Sequence, residues 1–146
     1  MYEPMTIKGV LFAYDGKIII DQHLSGQARP VFVLPNLMPT VGRAFLVDSG
    51  SIGDIDTVKL GDDGTARTAG LTDIISEQFS ASPTDSRVVG TKRVVELYVG
   101  TAEANFTHRE IGLFAGAVLI STLVITPEFV KTTAKTRSYI WEGGWF

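Results

Sequence analysis

The chain has 146 residues, the usual size of one domain, and can bury roughly 70% of the surface that its unfolded form exposes. Its 13 basic and 16 acidic residues give a net charge of −3, and the basic residues are scattered; phosphate binding needs a clustered positive face, so nucleic acid is not expected as the main partner. The absence of cysteine excludes disulfides, thiolate metal sites and a cysteine nucleophile.

Residues 1–40 differ from the rest. They carry four of the six prolines (Pro4, Pro30, Pro35 and Pro39), show no helical periodicity, and offer only short extended runs at residues 7–14, 17–21 and 31–34. Asp15-Gly16 joins the first two runs and is a hairpin signal, because glycine accepts the positive φ that a two-residue turn demands. Pro30 and Pro35 bracket Val31-Phe32-Val33-Leu34, as proline is tolerated at strand edges that need no ladder donor. This stretch is expected to be an extended N-terminal arm with a short hairpin. It cannot close a core of its own, and is expected to lie on a partner or wrap a neighbour.

Residues 41–146 are expected to form a β-rich domain. Residues 43–48 and 54–60 read as strands, the second ending in the turn Gly61-Asp62-Asp63-Gly64-Thr65. Residues 71–79 fit a short helical turn, with Thr72 as its cap, feeding a strand. Residues 86–99 are β by composition and by the alternation of Val95, Leu97 and Val99, with Gly90-Thr91-Lys92 as a turn. A further short strand or turn at 105–107 precedes Arg109-Glu110-Ile111-Gly112-Leu113-Phe114, a packed strand closed by a turn at Gly116. Residues 118–126 are almost continuously apolar, which suits a strand buried on both faces, and Pro127 is expected to stop it. In residues 134–141, Lys135, Arg137, Tyr139 and Trp141 alternate with small residues, so one face is expected to meet a sheet neighbour or another subunit. No repeat of about 20–50 residues is visible. Many short strands with glycine and proline punctuation predict an all-β fold, a β-sandwich or an open β-barrel.

No side chain is an obvious catalyst. His23 and His108 are far apart and lack companions at metal-ligand spacing, so each reads as a surface or hydrogen-bonded histidine. No Gly-x-Ser-x-Gly elbow is present, and Ser49 and Ser51 sit in a glycine-rich turn. Asp54, Asp56, Asp62 and Asp63 could offer oxygens to Ca²⁺, but their order is not that of a calcium loop, and Asp-Gly is common in turns. Glu110 could act as a general acid with a raised pKa. With no second carboxylate at a recognisable distance, the preferred reading is structural: its carboxylate accepts backbone N–H groups or pairs with a basic side chain where strands turn. The expectation is therefore no catalytic residue, no metal and no cofactor. Neither a membrane span nor a signal peptide is expected, because the longest apolar runs fall far short of the ~20 residues that cross a bilayer. The aromatics Tyr2, Phe12, Tyr14, Phe32, Tyr139, Trp141, Trp145 and Phe146 are candidate interaction residues, since buried aromatics commonly anchor subunit interfaces.

The order Glu110-Ile111-Gly112-Leu113-Phe114, Gly116, Leu119-Ile120, Pro127, Lys131 and a terminal alternating strand resembles a module of tailed-bacteriophage virion proteins. It is similar to small head-decoration proteins and to the N-terminal module of tail-collar fibre and upper-baseplate proteins. Upstream, Lys59-Leu60-Gly61-Asp62-Asp63-Gly64-Thr65-Ala66, with Leu71 and Glu77, looks like the same module's turn, although Asp62-Asp63 stands where the pattern usually has a second glycine-threonine pair. The resemblance covers residues 41–146 and implies a β-rich, non-enzymatic protein that assembles as a trimer or ring. Because no shaft or receptor-binding part follows Phe146, a capsid decoration protein on the outer surface of the head is preferred. It would be a homo-oligomer bound to the major capsid protein, with Glu110, Gly112, Gly116, Pro127 and Lys131 as its structural motif. A tail or baseplate adaptor is the alternative. A carbohydrate-binding β-sandwich using the terminal aromatics is the second alternative.

Overall fold

The computed structural model describes residues 14–24, 31–35, 37–48, 54–90 and 92–145, with only the backbone given for 14–24, 31–35, 92, 144 and 145. In chain order the elements are β1 (Tyr14–Leu24), β2 (Val31–Pro35), α1 (Thr40–Asp48), β3 (Thr57–Gly61), β4 (Glu77–Ala81), β5 (Asp85–Val89), β6 (Lys92–Val99), β7 (Thr107–Ala115), β8 (Val118–Val130) and β9 (Lys135–Trp145). Two antiparallel sheets result, one ordered β2-β1-β9-β6-β5 and the other β4-β3-β7-β8. The expected all-β fold is thus present as a sandwich of two sheets.

Alternation along the strands builds the core. Val58 and Leu60 of β3, Ile111 and Leu113 of β7, and Leu123 and Ile125 of β8 meet Val95, Leu97 and Val99 of β6 and Tyr139 and Trp141 of β9. Trp141 Nε1 donates to Ser121 Oγ across the seam at 3.1 Å, so the indole's polar edge is satisfied where its body is buried. Between the sheets lies a void of about 10 Å³ lined by Val58, Val95, Leu97, Ile111, Leu113, Tyr139 and Trp141, with room for no more than one water.

Several local expectations give way to tertiary pairing. Asp15-Gly16 makes no turn: β1 runs straight through it, with Asp15 opposite Gly144 and Gly16 opposite Gly143 of β9. The hairpin instead pairs Lys17 through Asp21 of β1 with Pro35 through Val31 of β2. A local turn preference loses here to a ladder of eleven residue pairs. Residues 43–48, read as a strand, belong to α1; Phe45 and Leu46 pack against the main core, and Val41 against a second cluster of Ile74, Phe114 and Leu119. No helical turn forms at 71–79, where Ile74 instead plugs the outer face of β7 and the chain enters β4 only at Glu77. Pro127 does not stop β8. The β7–β8 register slips between His108/Phe129 and Glu110/Val124, so proline sits in a bulged stretch that owes the ladder no donor.

Residues 37–48 close the free side of β8. Leu37 and Thr122 exchange two backbone hydrogen bonds of 2.9 Å, and α1 then lies against β8 so closely that a Cβ on Gly42 would sit 2.7 Å from Leu119 O. An edge that could pair with another chain is thereby covered. Gly42→Ala should lower stability by about 1–3 kcal/mol through overpacking. Glycine-to-alanine at an open helix position would raise it by roughly 1 kcal/mol, so the sign of the shift in the urea midpoint checks the contact.

Candidate functional site

Glu110 organises one face of the four-stranded sheet. It is fully buried, between Ile111, which points into the seam, and Arg109, which reaches the surface. The loop joining β3 to β4 folds back over it. Oε1 accepts from Ile75 N at 2.8 Å and from Arg67 Nη1 at 2.6 Å, while Oε2 accepts from Ser76 N at 2.7 Å and Asp63 N at 3.2 Å. One carboxylate therefore serves three otherwise unpaired backbone donors and a guanidinium. Arg67 completes its fork on the carbonyls of Thr65 and Asp63. Gly61 leaves the space this requires, since a Cβ there would run into Glu110 Oε2 and the Ser76 carbonyl.

Gly112 does the same for packing: a Cβ would lie 2.7 Å from Ile74 Cγ2. Gly116 has φ 58° in the two-residue β7–β8 turn, a conformation that favours glycine, and its N–H donates to Asp56 Oδ1 at 3.0 Å. The Asp56 carboxylate is thus a hairpin cap. Asp63 Oδ1 accepts from Thr65 N at 2.7 Å, and hydrogen bonds from the Thr65 side chain and then its backbone N–H lower the pKa of its carboxyl. Between the two aspartate pairs runs β3, which separates Asp56 from Asp62 by roughly 20 Å of extended chain. They cannot converge on one cation, and among the described residues no three His, Asp or Glu side chains are grouped to hold a metal.

The opposite face of β7 carries His108, also fully buried. Its Nε2 faces the Ala104 carbonyl at 2.8 Å, and a carbonyl only accepts, so Nε2 carries the proton and Nδ1 accepts from the Tyr139 hydroxyl at 2.6 Å. Burial lowers the His108 pKa to about 4, with help from the Arg137 and Lys131 charges. The imidazole is neutral, sealed and fully bonded, which leaves nothing to abstract or deliver a proton to a substrate. Burial likewise raises the Tyr139 phenol. Lys131, 2% exposed, donates to Asn105 Oδ1 at 2.7 Å, Thr132 O at 3.2 Å and Thr101 O at 3.4 Å, tying the 100–106 loop to the end of β8. Burial lowers its pKa.

Two of the eight aromatics proposed for contacts, Tyr139 and Trp141, lie in the intersheet core at 2% and 1% exposure and cannot meet a partner. Tyr139 and Trp141 of β9 are inward because they pack against β3, β7 and β8 of the other sheet. Tyr2, Phe12 and Phe146 lie outside the described residues, as do the side chains of Tyr14, Phe32, Trp145 and His23. Arg67 was missed as the partner of Glu110. Its signal was visible: a single long cation in Gly64-Thr65-Ala66-Arg67-Thr68-Ala69-Gly70, a run otherwise made of small residues. Arg137, on the face of β9 expected to meet a sheet neighbour or another subunit, is buried within the chain at 2% exposure.

Glu110→Ala should cost about 3–5 kcal/mol, because it strands a buried guanidinium and three N–H groups. The Glu110→Ala/Arg67→Met pair should cost less than the sum of the single changes, measured by chemical denaturation. For His108, the folded pKa lies below the unfolded 6.5, so the unfolded chain takes up the proton first as pH falls. Its contribution is complete above pH 6.5 and is lost toward pH 4, up to about 3 kcal/mol. Unfolding midpoints at pH 7, 5.5 and 4 should therefore fall more steeply for the natural chain than for His108→Gln. Comparison of the chain with protein-family models, curated proteins and solved structures finds no match.

Proposed function

We propose that this chain is a non-enzymatic structural protein of a tailed-bacteriophage virion, a capsid decoration protein that binds the outer shell as an oligomer. The observation that carries the non-enzymatic part is the use made of buried charge. Glu110, Arg67, His108 and Lys131 each hold backbone or a neighbouring side chain. A site that performs chemistry leaves a perturbed group open to substrate; these groups rigidify loops instead. The virion part is supported by the order of Glu110, Gly112, Gly116, Pro127 and Lys131, which resembles the phage module described above. Glu110, Gly112 and Gly116 are the residues whose replacement would break the clasp, the packing under Ile74 and the hairpin turn.

Part of the N-terminal segment expected as an extended arm is built into the chain's own five-stranded sheet. Its residues 14–24 add to β9 as a strand, and residues 31–35 add outside that. In this reading, clamping of a neighbouring subunit takes place by exchange of the β1–β2 pair. Shell binding by three such feet would gain through effective concentration, and a protein that binds only the assembled shell stabilises it by mass action. Burial of Tyr139 and Trp141 removes half of the terminal aromatic platform that a sugar-binding reading requires.

The full chain should run in solution at the mass of an oligomer, a trimer in this reading, and co-sediment with isolated phage heads. Co-sedimentation with tails alone would move the assignment to a tail or baseplate adaptor. Binding to neither particle would overturn the virion reading.

A further inference from the structure

We propose that Arg137 is the floor of an oxyanion-binding site, at the end of the sandwich that carries the 131–134 turn and the 100–106 loop. This inference is independent of the proposed virion role. Arg137 stands on β9 facing the seam, 2% exposed, with Cζ 3.9 Å above the Phe129 ring and 5.2 Å from that of Tyr139. The rings support the flat face of the guanidinium and use none of its N–H groups. Among the described residues, Nε of Arg137 is the one fully buried side-chain nitrogen or oxygen with no hydrogen-bond partner. No hydrogen bond or ion pair from a described residue reaches either Nη, and neither Nη is among the fully buried unpaired atoms, so the fork is open at its tip.

A guanidinium withdrawn this far from water is normally matched by a carboxylate. Among the described residues no carboxylate reaches Arg137, and the charge of Glu103 acts on Lys131. Glu103 Oε1 accepts from Gly100 N at 3.0 Å, and Glu128 takes two bonds of 3.2 Å from Arg109. The other described charged groups beside the Phe129 ring are cations. Lys135 Nζ lies 5.4 Å from the same Phe129 ring and has one described bond, to Val130 O, while Lys131 is held by its three oxygens. His108, neutral and bonded at both nitrogens, adds no charge and offers no acceptor to Arg137. The result is a net positive end with an unused planar fork at its base and an ammonium beside it. That geometry suits two oxygens of one anion, taken side by side by Nε and Nη, with Lys135 on a third contact. A carboxylate and a phosphate share this chemistry. The first would come from an acidic side chain of a protein partner, the second from solution.

The test uses the full-length, ¹⁵N-labelled chain titrated with inorganic phosphate, with acetate, and with chloride at matched ionic strength, following the Nε–Hε signal of Arg137 and the thermal midpoint. Phosphate or acetate should move that signal saturably, and the midpoint should rise with anion concentration as mass action requires. Chloride should do neither. Lys135→Met, at a half-exposed position, should fold and bind about two- to fivefold more weakly. Arg137→Lys keeps the charge but loses the fork and should abolish the saturable rise. A response to phosphate alone identifies a phosphate site; a response to both identifies a site that a partner's carboxylate can fill. An Arg137 Nε–Hε signal that neither anion moves up to tens of millimolar, or that chloride moves equally, overturns the proposal.

Discussion

The Glu110 carboxylate is the constraint on which the outer half of this molecule depends. A sheet with one face in the seam leaves its other face and its long β3–β4 connection to be dealt with. Here a single charge in β7 collects three backbone N–H groups and Arg67 from that connection. An uncompensated charge at full burial would be ruinous, so the loop has one conformation in which the account closes. With the loop held, Ile74 is placed over Gly112, and Phe114 and Leu119 gain a cover shared with Val41 and Leu71. The second small core is thus a consequence of one ion pair and two missing side chains, at Gly61 and Gly112.

The same economy appears at the other face. His108, Tyr139 and Lys131 connect β7, β9 and the 100–106 loop through bonds that use up each polar group. Arg137 departs from this pattern, with two rings for company and an unused fork. In a molecule whose other buried charges are so fully matched, an unmatched one marks a place where something from outside belongs.

The sheet edges are managed unevenly. Leu37 and α1 cover β8, and β2 takes the edge beyond β1. On the far side no described strand pairs with the outer edge of β5, where Val88 is 64% and Val89 54% exposed, and its Asp85–Arg87 pair is all the charge it carries to discourage pairing.

Residue patterning alone determined the all-β class, the strands at β3, β5, β6, β7 and β9 and β8 as far as Thr126, the Gly116 turn and the structural character of Glu110. Each of these depends on period-two alternation, on a glycine with positive φ, or on the cost of burying a lone carboxylate, and all three are local statements. Tertiary structure decided the rest. Residues 40–48 became a helix because β8 offered a surface that only Gly42 can approach, and Asp15-Gly16 stayed extended because β9 offered a ladder. Pro127 was absorbed because the β7–β8 register slips where it stands. Which cation Glu110 would choose depended on a residue 43 positions away along the chain, brought to it only when the β3–β4 loop folds back over β7.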